Sequence, residues 1–299
     1  MSVLSFPERG PWGNARWRGN CSGHVYAHLF DLLKPRTFCD PMVGSGTSTD
    51  VARERGIDAV GLDLHSGFNA LRDRISLALP AHWNGAADLC LSHPPYWDMV
   101  IYSGEVWGQA HPDDLSRCAS ADEFLEKLAL ALLNQRDATR EHGVYGLILG
   151  DLRRGGEYHA LASDIQAYLP RRERRAILIK AQHGVQSAGR QYAPLRFGRV
   201  THETIVLYER LKGDVYFALG CAVAQQQTVS AGTWKAVLRL CLQQLPRTFT
   251  VQQAYAAVLN AAPERVRESQ HWQAKIRQTL GRLPEVRGLG EGRWELTAA

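Results

Sequence analysis

No Cys-x-x-Cys pair occurs anywhere in the 299 residues, although six cysteines stand at positions 21, 39, 90, 118, 221 and 241. Scattered thiols of this kind argue against structural zinc and fit a reducing cytoplasm, so no metal is expected. No run approaches 18 apolar residues, which excludes a membrane-spanning helix. The N-terminus lacks a signal-peptide core, and the expectation is a soluble, unexported protein. Signs of disorder are missing too, since 45% of residues are hydrophobic. The length suits one large domain or two.

Charge is unevenly placed. From position 230 to the end there are ten basic and five acidic residues, so that stretch carries the whole net charge of +5. Such a basic tail fits either a polyanion partner or a solvated face.

The organising stretch is Arg36 to Asp50. Phe38 and Cys39 end a short apolar segment, Asp40-Pro41 breaks it, and Gly44-Ser45-Gly46-Thr47 makes a tight loop. Ser48 onward reads as a helix through Arg55. Strand, glycine turn and helix in this order form the first βα unit of a doubly wound sheet, where glycine lets backbone approach a ligand. Val60-Gly61-Leu62-Asp63 reads as a second strand. Its acid lies 17 residues past Gly46, near the place of an acid that grips a ribose, about 20 residues on.

Asp88-Leu-Cys-Leu-Ser-His93-Pro94-Pro95-Tyr96-Trp97 then reads as a buried strand delivering prolines and aromatics at its carboxyl end. Cys39 and Cys90 sit in these two core strands as small hydrophobes. Here the sequence resembles the S-adenosylmethionine-dependent DNA amino-methyltransferases of the adenine N6 and cytosine N4 type. Residues Asp40, Pro41, Met42, Val43, Gly44, Ser45, Gly46 and Thr47 look like their cofactor loop. His93-Pro94-Pro95-Tyr96 looks like their catalytic tetrapeptide, which usually begins with Asp, Asn or Ser. The resemblance covers roughly residues 12–210. It implies a Rossmann-like doubly wound α/β sheet, S-adenosylmethionine as cofactor, and double-stranded DNA as partner. The cofactor residues it implies are Asn20, Asp40, Pro41, Met42, Gly44, Gly46, Thr47 and Asp63. A homodimer and a cognate restriction endonuclease remain open, and the expected compartment is a prokaryotic cytosol or nucleoid.

The rest of the chain follows in order. Residues 1–23 read as irregular, and residues 24–33 as a helix with Val25, Leu29, Leu32 and Leu33 on one face. Residues 69–79 look helical, and no third strand is evident before Asp88. The polar loop at 98–119, with Trp107 and His111, is long enough to be functional. Ser120 and Glu123 form a capping box for a helix to about His142. A strand at 143–151, a basic turn at 153–157, a helix near 159–169, and strands at 176–180 and 202–208 complete the sheet. The loop at 181–200 carries Arg190, Arg196 and Arg199, either facing DNA or merely solvated.

Composition changes after Lys212. The expected division is a methyltransferase domain at 1–211, a linker at 212–232 and a domain at 233–299. Helices at 234–245, 250–260 and 269–283, then a hairpin around Gly288–Gly292, resemble a winged helix-turn-helix. Gln270, His271, Gln273, Lys275, Arg277 and Gln278 of the third helix suit a major groove, with Arg287 and Arg293 on the hairpin. Trp272, Ile276, Leu280 and Leu283 would hold that helix to its core. Protein docking is the other use of such a module.

The resemblance implies a reaction. An exocyclic amine shares its lone pair with the ring and is a poor nucleophile, and the methyl donor reaches it only after the base leaves the stack. The carbonyl of Pro94 and the first residue of the tetrapeptide accept its hydrogens, and Tyr96 stacks on the base. His93 meets that need only as a neutral imidazole in the right tautomer. Otherwise it is a structural histidine over a degenerate site. Adenine N6 is taken ahead of cytosine N4. An RNA-base methyltransferase and a DNA-binding regulator on an inactive scaffold are the other readings.

Overall fold

Residues 87–92 are apolar enough to be covered on both faces, and they form an inner strand of a seven-stranded sheet. The computed structural model describes residues 2–183, 198–212, 234–242, 245–262, 266–267, 269–283 and 286–296. The chain divides into two units, Met1–Phe217 and Ala218–Ala299.

In the first unit the sheet strands are β1 (Val3–Ser5), β2 (Thr37–Asp40), β3 (Asp58–Gly61), β4 (Ala87–Ser92), β5 (Thr139–Gly150), β8 (Arg174–Ala181) and β9 (His202–Glu209). A separate hairpin pairs β6 (Leu152–Arg154) with β7 (Glu157–His159). Sheet order is β1-β8-β9-β5-β4-β2-β3. Neighbours are parallel except around β9, which runs antiparallel between β5 and β8. The α/β sheet expected from the sequence is the one observed. From β2 the chain moves outward to β3, then returns to β4 on the other side. Open α/β sheets hold ligands at the carboxyl ends of strands where the order reverses in this way.

Among the described residues of this unit the α-helices are α1 (Gly23–Leu33), α2 (Thr47–Glu54), α3 (Ile75–Ala78), α4 (Ala121–Asp137) and α5 (Leu161–Asp164). The apolar face of α1 buries Val25, Leu29 and Phe30 in one core with Phe38, Val51, Leu89 and Ile205. The Phe30 and Phe38 rings meet edge to face at 4.9 Å. Each fully buried side chain of this size contributes about 1.5–3 kcal/mol.

Four sequence expectations are corrected here. Residues 3–5 are not irregular but form β1, whose partner β8 lies more than 170 residues away. The helix expected at 69–79 shrinks to α3, because Asn69 and Asp73 side chains bond the backbone amides of Leu71 and Asn69 instead. α4 stops at Asp137 rather than near His142, and Thr139 already pairs with Ala87. Ser120 caps Glu123 as expected, but the Glu123 carboxylate accepts from Ala119 rather than Ser120.

The second unit contains α6 (Trp234–Leu242), β10 (Thr248–Thr250), α7 (Val251–Ala261), α8 (Trp272–Leu280), β11 (Val286–Gly290) and β12 (Arg293–Leu296). β12 lies antiparallel between β10 and β11. β10 was not evident in the sequence. Thr250 and Gln253 complete a reciprocal capping box on α7. Val237, Leu238, Phe249, Val258, Ile276 and Leu280 form the core. None of the described helices is long and apolar enough to cross a membrane.

Candidate functional site

A cleft of about 880 Å³, including the space open to solvent, lies at the carboxyl ends of β2, β3 and β4. Of the expected cofactor residues, Asn20, Asp40, Pro41, Met42, Gly44, Thr47 and Asp63 all line it. Gly46 stands just behind as the N-cap of α2, with φ at 89°. His93 and Pro95 line the same cleft, whereas Pro94 is buried. The glycine loop and two of the four tetrapeptide residues, His93 and Pro95, about 50 residues apart in sequence, therefore share one cavity, whereas Tyr96, expected to stack on the base, does not line it.

The loop is held by a small set of bonds. Asp40 is buried at the end of β2, accepting from Ser48 Oγ at 2.6 Å and from the amide of Met42 at 3.0 Å. Burial raises its pKa from 3.8 to about 7 against those two bonds. Gly44, at φ 51°, turns its amide onto Asp63 Oδ2 at 2.8 Å. The other oxygen of Asp63 accepts from the His65 amide and meets its ring at 2.8 Å, and this bond raises the His65 pKa. Among the described residues, Ser45 Oγ is buried without a hydrogen-bond partner.

The N-terminal segment crosses this loop. Gly13 donates to Asp50 at 3.0 Å, and a Cβ there would strike Thr47 Oγ1. Thr47 Oγ1 donates to Asn20 Oδ1 at 2.6 Å, and Asn20 Nδ2 to the Asn14 carbonyl at 2.7 Å. Trp17 lies against Gly44, beside His65 and Tyr102. Sequence reasoning did not place Trp17, Phe68 or Tyr102 in the site. The clustering of Trp, Gly and Asn in an otherwise irregular N-terminus was the available signal for Trp17.

The tetrapeptide follows β4. His93 Nε2 lies 2.6 Å from the hydroxyl of Tyr96. The Tyr96 ring lies over Gly150, where a Cβ would meet it at 2.5 Å. Burial pushes the His93 pKa down to about 4, and nearby Lys180 adds to this while Glu203 opposes it. The imidazole is therefore neutral well below its ordinary 6.5. Ser92 is not an alternative acceptor, because it is fully buried outside the cleft lining, with its hydroxyl held on Gln135 Oε1 at 2.7 Å. A buried pair that the sequence reading missed, Lys180 and Glu203, stands on neighbouring strands. An acid and a lysine on apolar strands were the signal for it.

In the second unit Gln270, Gln273, Lys275 and Arg277 are all exposed, and Ile276, Leu280 and Leu283 are buried as expected. Arg293 is exposed, and Arg287 is bonded to Glu295 at 2.6 Å. Arg190 and Arg196 lie outside the described residues, as do positions 213–232 of the expected linker.

No protein-family model matches the sequence, and neither does any curated protein. Among solved structures the chain is similar to TrmN from Thermus thermophilus, at 16% identity over 65% of this chain and 50% of that one, with a TM-score of 0.41. It is also similar to an rRNA methylase from Streptococcus thermophilus, at 14% identity over 63% and 96% of the two chains and a TM-score of 0.28. A third is RsmC, a T. thermophilus 16S rRNA N2 G1207 methyltransferase in complex with AdoMet and guanosine. There the identity is 14% over 69% and 45%, and the TM-score is 0.29. The chain spans about half the length of TrmN. At this level the likeness is to the fold and says nothing of substrate.

Proposed function

We propose that this chain transfers a methyl group from S-adenosylmethionine to the exocyclic amine of a flipped base in DNA, adenine N6 first. The observation that carries the reading is the shared cleft, in which the glycine loop and Asp63 face the same space as a neutral His93. The residues fit the cofactor. Ser45 Oγ is a buried hydroxyl without a partner, and Gly44 and Gly46 adopt positive φ in the loop beside it. Asn20, Asp40, Thr47 and Asp63 would hold the cofactor, which supplies an electrophilic methyl on a sulfonium when bound. His93, which lines the cleft, accepts a hydrogen from the amine and helps to free its lone pair toward the methyl group. The protein otherwise acts by positioning.

The second unit is read as a winged helix whose α8 enters a major groove of double-stranded DNA, on the strength of its exposed Gln273, Lys275 and Arg277. The test is tritiated-methyl transfer to unmethylated genomic DNA, with total RNA in parallel, followed by nucleoside mass spectrometry. N6-methyladenine in DNA is the expected product. Label in N4-methylcytosine changes the target base. Label in RNA alone overturns the substrate assignment, and no label with bound cofactor leaves a regulator on an inactive scaffold.

A further inference from the structure

Gly150, Glu203 and Lys180 form a row across three strands, with Gly150 opposite Glu203 and Glu203 opposite Lys180. Directly opposed residues send their side chains to the same face of a sheet. The Tyr96 ring lies on that face, over the missing side chain of Gly150. The Glu203 carboxylate therefore rises beside Tyr96. It is fixed there by Lys180 at Oε2 and by Gln182 Nε2, which donates to Oε1 at 2.9 Å. Both members of the ion pair are almost covered, with 10% of the Lys180 side chain and 8% of the Glu203 side chain exposed.

Protons along this row can be assigned from donor chemistry. An ionised carboxylate only accepts, while a phenol has one hydrogen to give. Lys180 and His93 hold Glu203 down to about 2 although burial opposes them, so the carboxylate is ionised. The Tyr96 pKa is raised by burial first and then by the neighbouring charge of Glu203. Cys21 and Tyr26 are the other titratable groups that act on Tyr96, and neither is ionised at neutral pH, since burial raises both. A hydroxyl between a carboxylate and an imidazole nitrogen gives its hydrogen to the charged acceptor, where the bond is stronger. It then has only lone pairs to offer His93, and the 2.6 Å contact requires the hydrogen to sit on Nε2.

We propose that Glu203, on the same face as the Tyr96 ring, accepts the Tyr96 hydroxyl hydrogen and is thereby a positioning residue that holds His93 in the tautomer with hydrogen on Nε2, leaving Nδ1 as the acceptor for the substrate amine. The substrate half of this inference rests on the proposed methyl transfer, whereas the Glu203–Tyr96–His93 chain is a property of the protein alone. It also gives the buried Lys180–Glu203 pair a task, since such a pair adds little net stability over apolar residues of the same size.

The experiment is nitrogen NMR on the full chain labelled with 15N-histidine, the His93 signals being identified by their loss in His93→Asn. The expected spectrum at pH 7 shows Nε2 protonated and Nδ1 bare. Tyr96→Phe keeps a ring over Gly150 and removes the hydroxyl, so the tautomers should mix. The double variant Glu203→Gln with Lys180→Met removes both charges without leaving either one buried alone, and it should also mix them. A parental spectrum with the hydrogen on Nδ1 overturns the proposal. An unchanged tautomer in the folded double variant removes Glu203 from the chain. If the tautomers behave as expected while neither DNA nor RNA is methylated, the chain stands and the methyl-transfer reading falls.

Discussion

The amide of Gly44 donates to Oδ2 of Asp63 at 2.8 Å, which ties the glycine loop to the acid that follows β3. Asp63 thus shapes the loop as well as facing the cleft. Asp63→Ala leaves that amide unpaired and should cost about 1–3 kcal/mol of stability, together with a loss of S-adenosylmethionine affinity. Asp63→Asn keeps an acceptor for Gly44, so it should recover most of the stability while losing the charge. Thermal unfolding and calorimetry separate the two effects. Unchanged affinity in Asp63→Ala would take Asp63 out of the cofactor site.

Gly44 and Gly56 make a controlled pair. Both have positive φ, 51° and 70°, but a Cβ on Gly44 would come within 3.1 Å of Trp17 Nε1, whereas one on Gly56 would meet nothing within 4 Å. Alanine at either position should cost about 1–2 kcal/mol through backbone strain. Only Gly44→Ala should weaken cofactor binding and alter Trp17 fluorescence. Equal binding in both variants would mean that the loop tolerates a side chain there.

Protonation of His93 removes its acceptor and places a charge near a sulfonium. Because its pKa is pushed to about 4, single-turnover methylation should stay level through pH 6.5 and fall only near 4. A limb at 6.5, the ordinary histidine value expected from sequence alone, would show that His93 is solvated or uninvolved. Folding stability responds to pH in the same direction. Between 6.5 and about 4 the unfolded chain binds a proton that folded His93 does not, so this group lowers stability as pH falls. His93→Asp should keep some activity with a flatter acid limb.

Asp40 should link cofactor binding to a proton. Its folded pKa of about 7 exceeds the ordinary carboxyl value of 3.8, so its contribution to stability is full below 3.8 and is lost as pH rises through 7. A cationic ligand in the cleft favours the ionised carboxylate, and S-adenosylmethionine binding near pH 7 should therefore release a proton. Calorimetry in two buffers of different ionisation enthalpy measures it, and Asp40→Asn should abolish the release. No release in the parent would exclude Asp40 from sensing the cofactor charge.

Lys275 and Arg277 are exposed on α8 while Ile276 and Leu280 anchor it, so they can be changed without touching the core. Alanine at a phosphate-contacting residue should weaken all duplexes alike and lower the salt slope by about one, whereas loss of a base contact should relax preference at a single position. Truncation after Leu211 should retain cofactor binding and weaken duplex binding. Full duplex affinity in the truncated chain would recast the second unit as a docking module.

Sequence determined what is local. The glycine loop, the acid after β3 and the capping of α4 were legible because each depends on residues a few positions apart, and so were the apolar strands β2 and β4. Tertiary structure decided what depends on strand order. β1 is too short to be read as a strand and exists through its pairing with β8. The helix expected at 69–79 gave way to side-chain bonds that include Asn134 of α4, which donates to the Ala70 and Asp73 carbonyls. Above all, the meeting of Glu203 and Lys180 with Tyr96 and His93 follows from the insertion of β9 between β5 and β8. A periodic pattern along one chain reports which face of a strand is covered, but not which strand lies next to it.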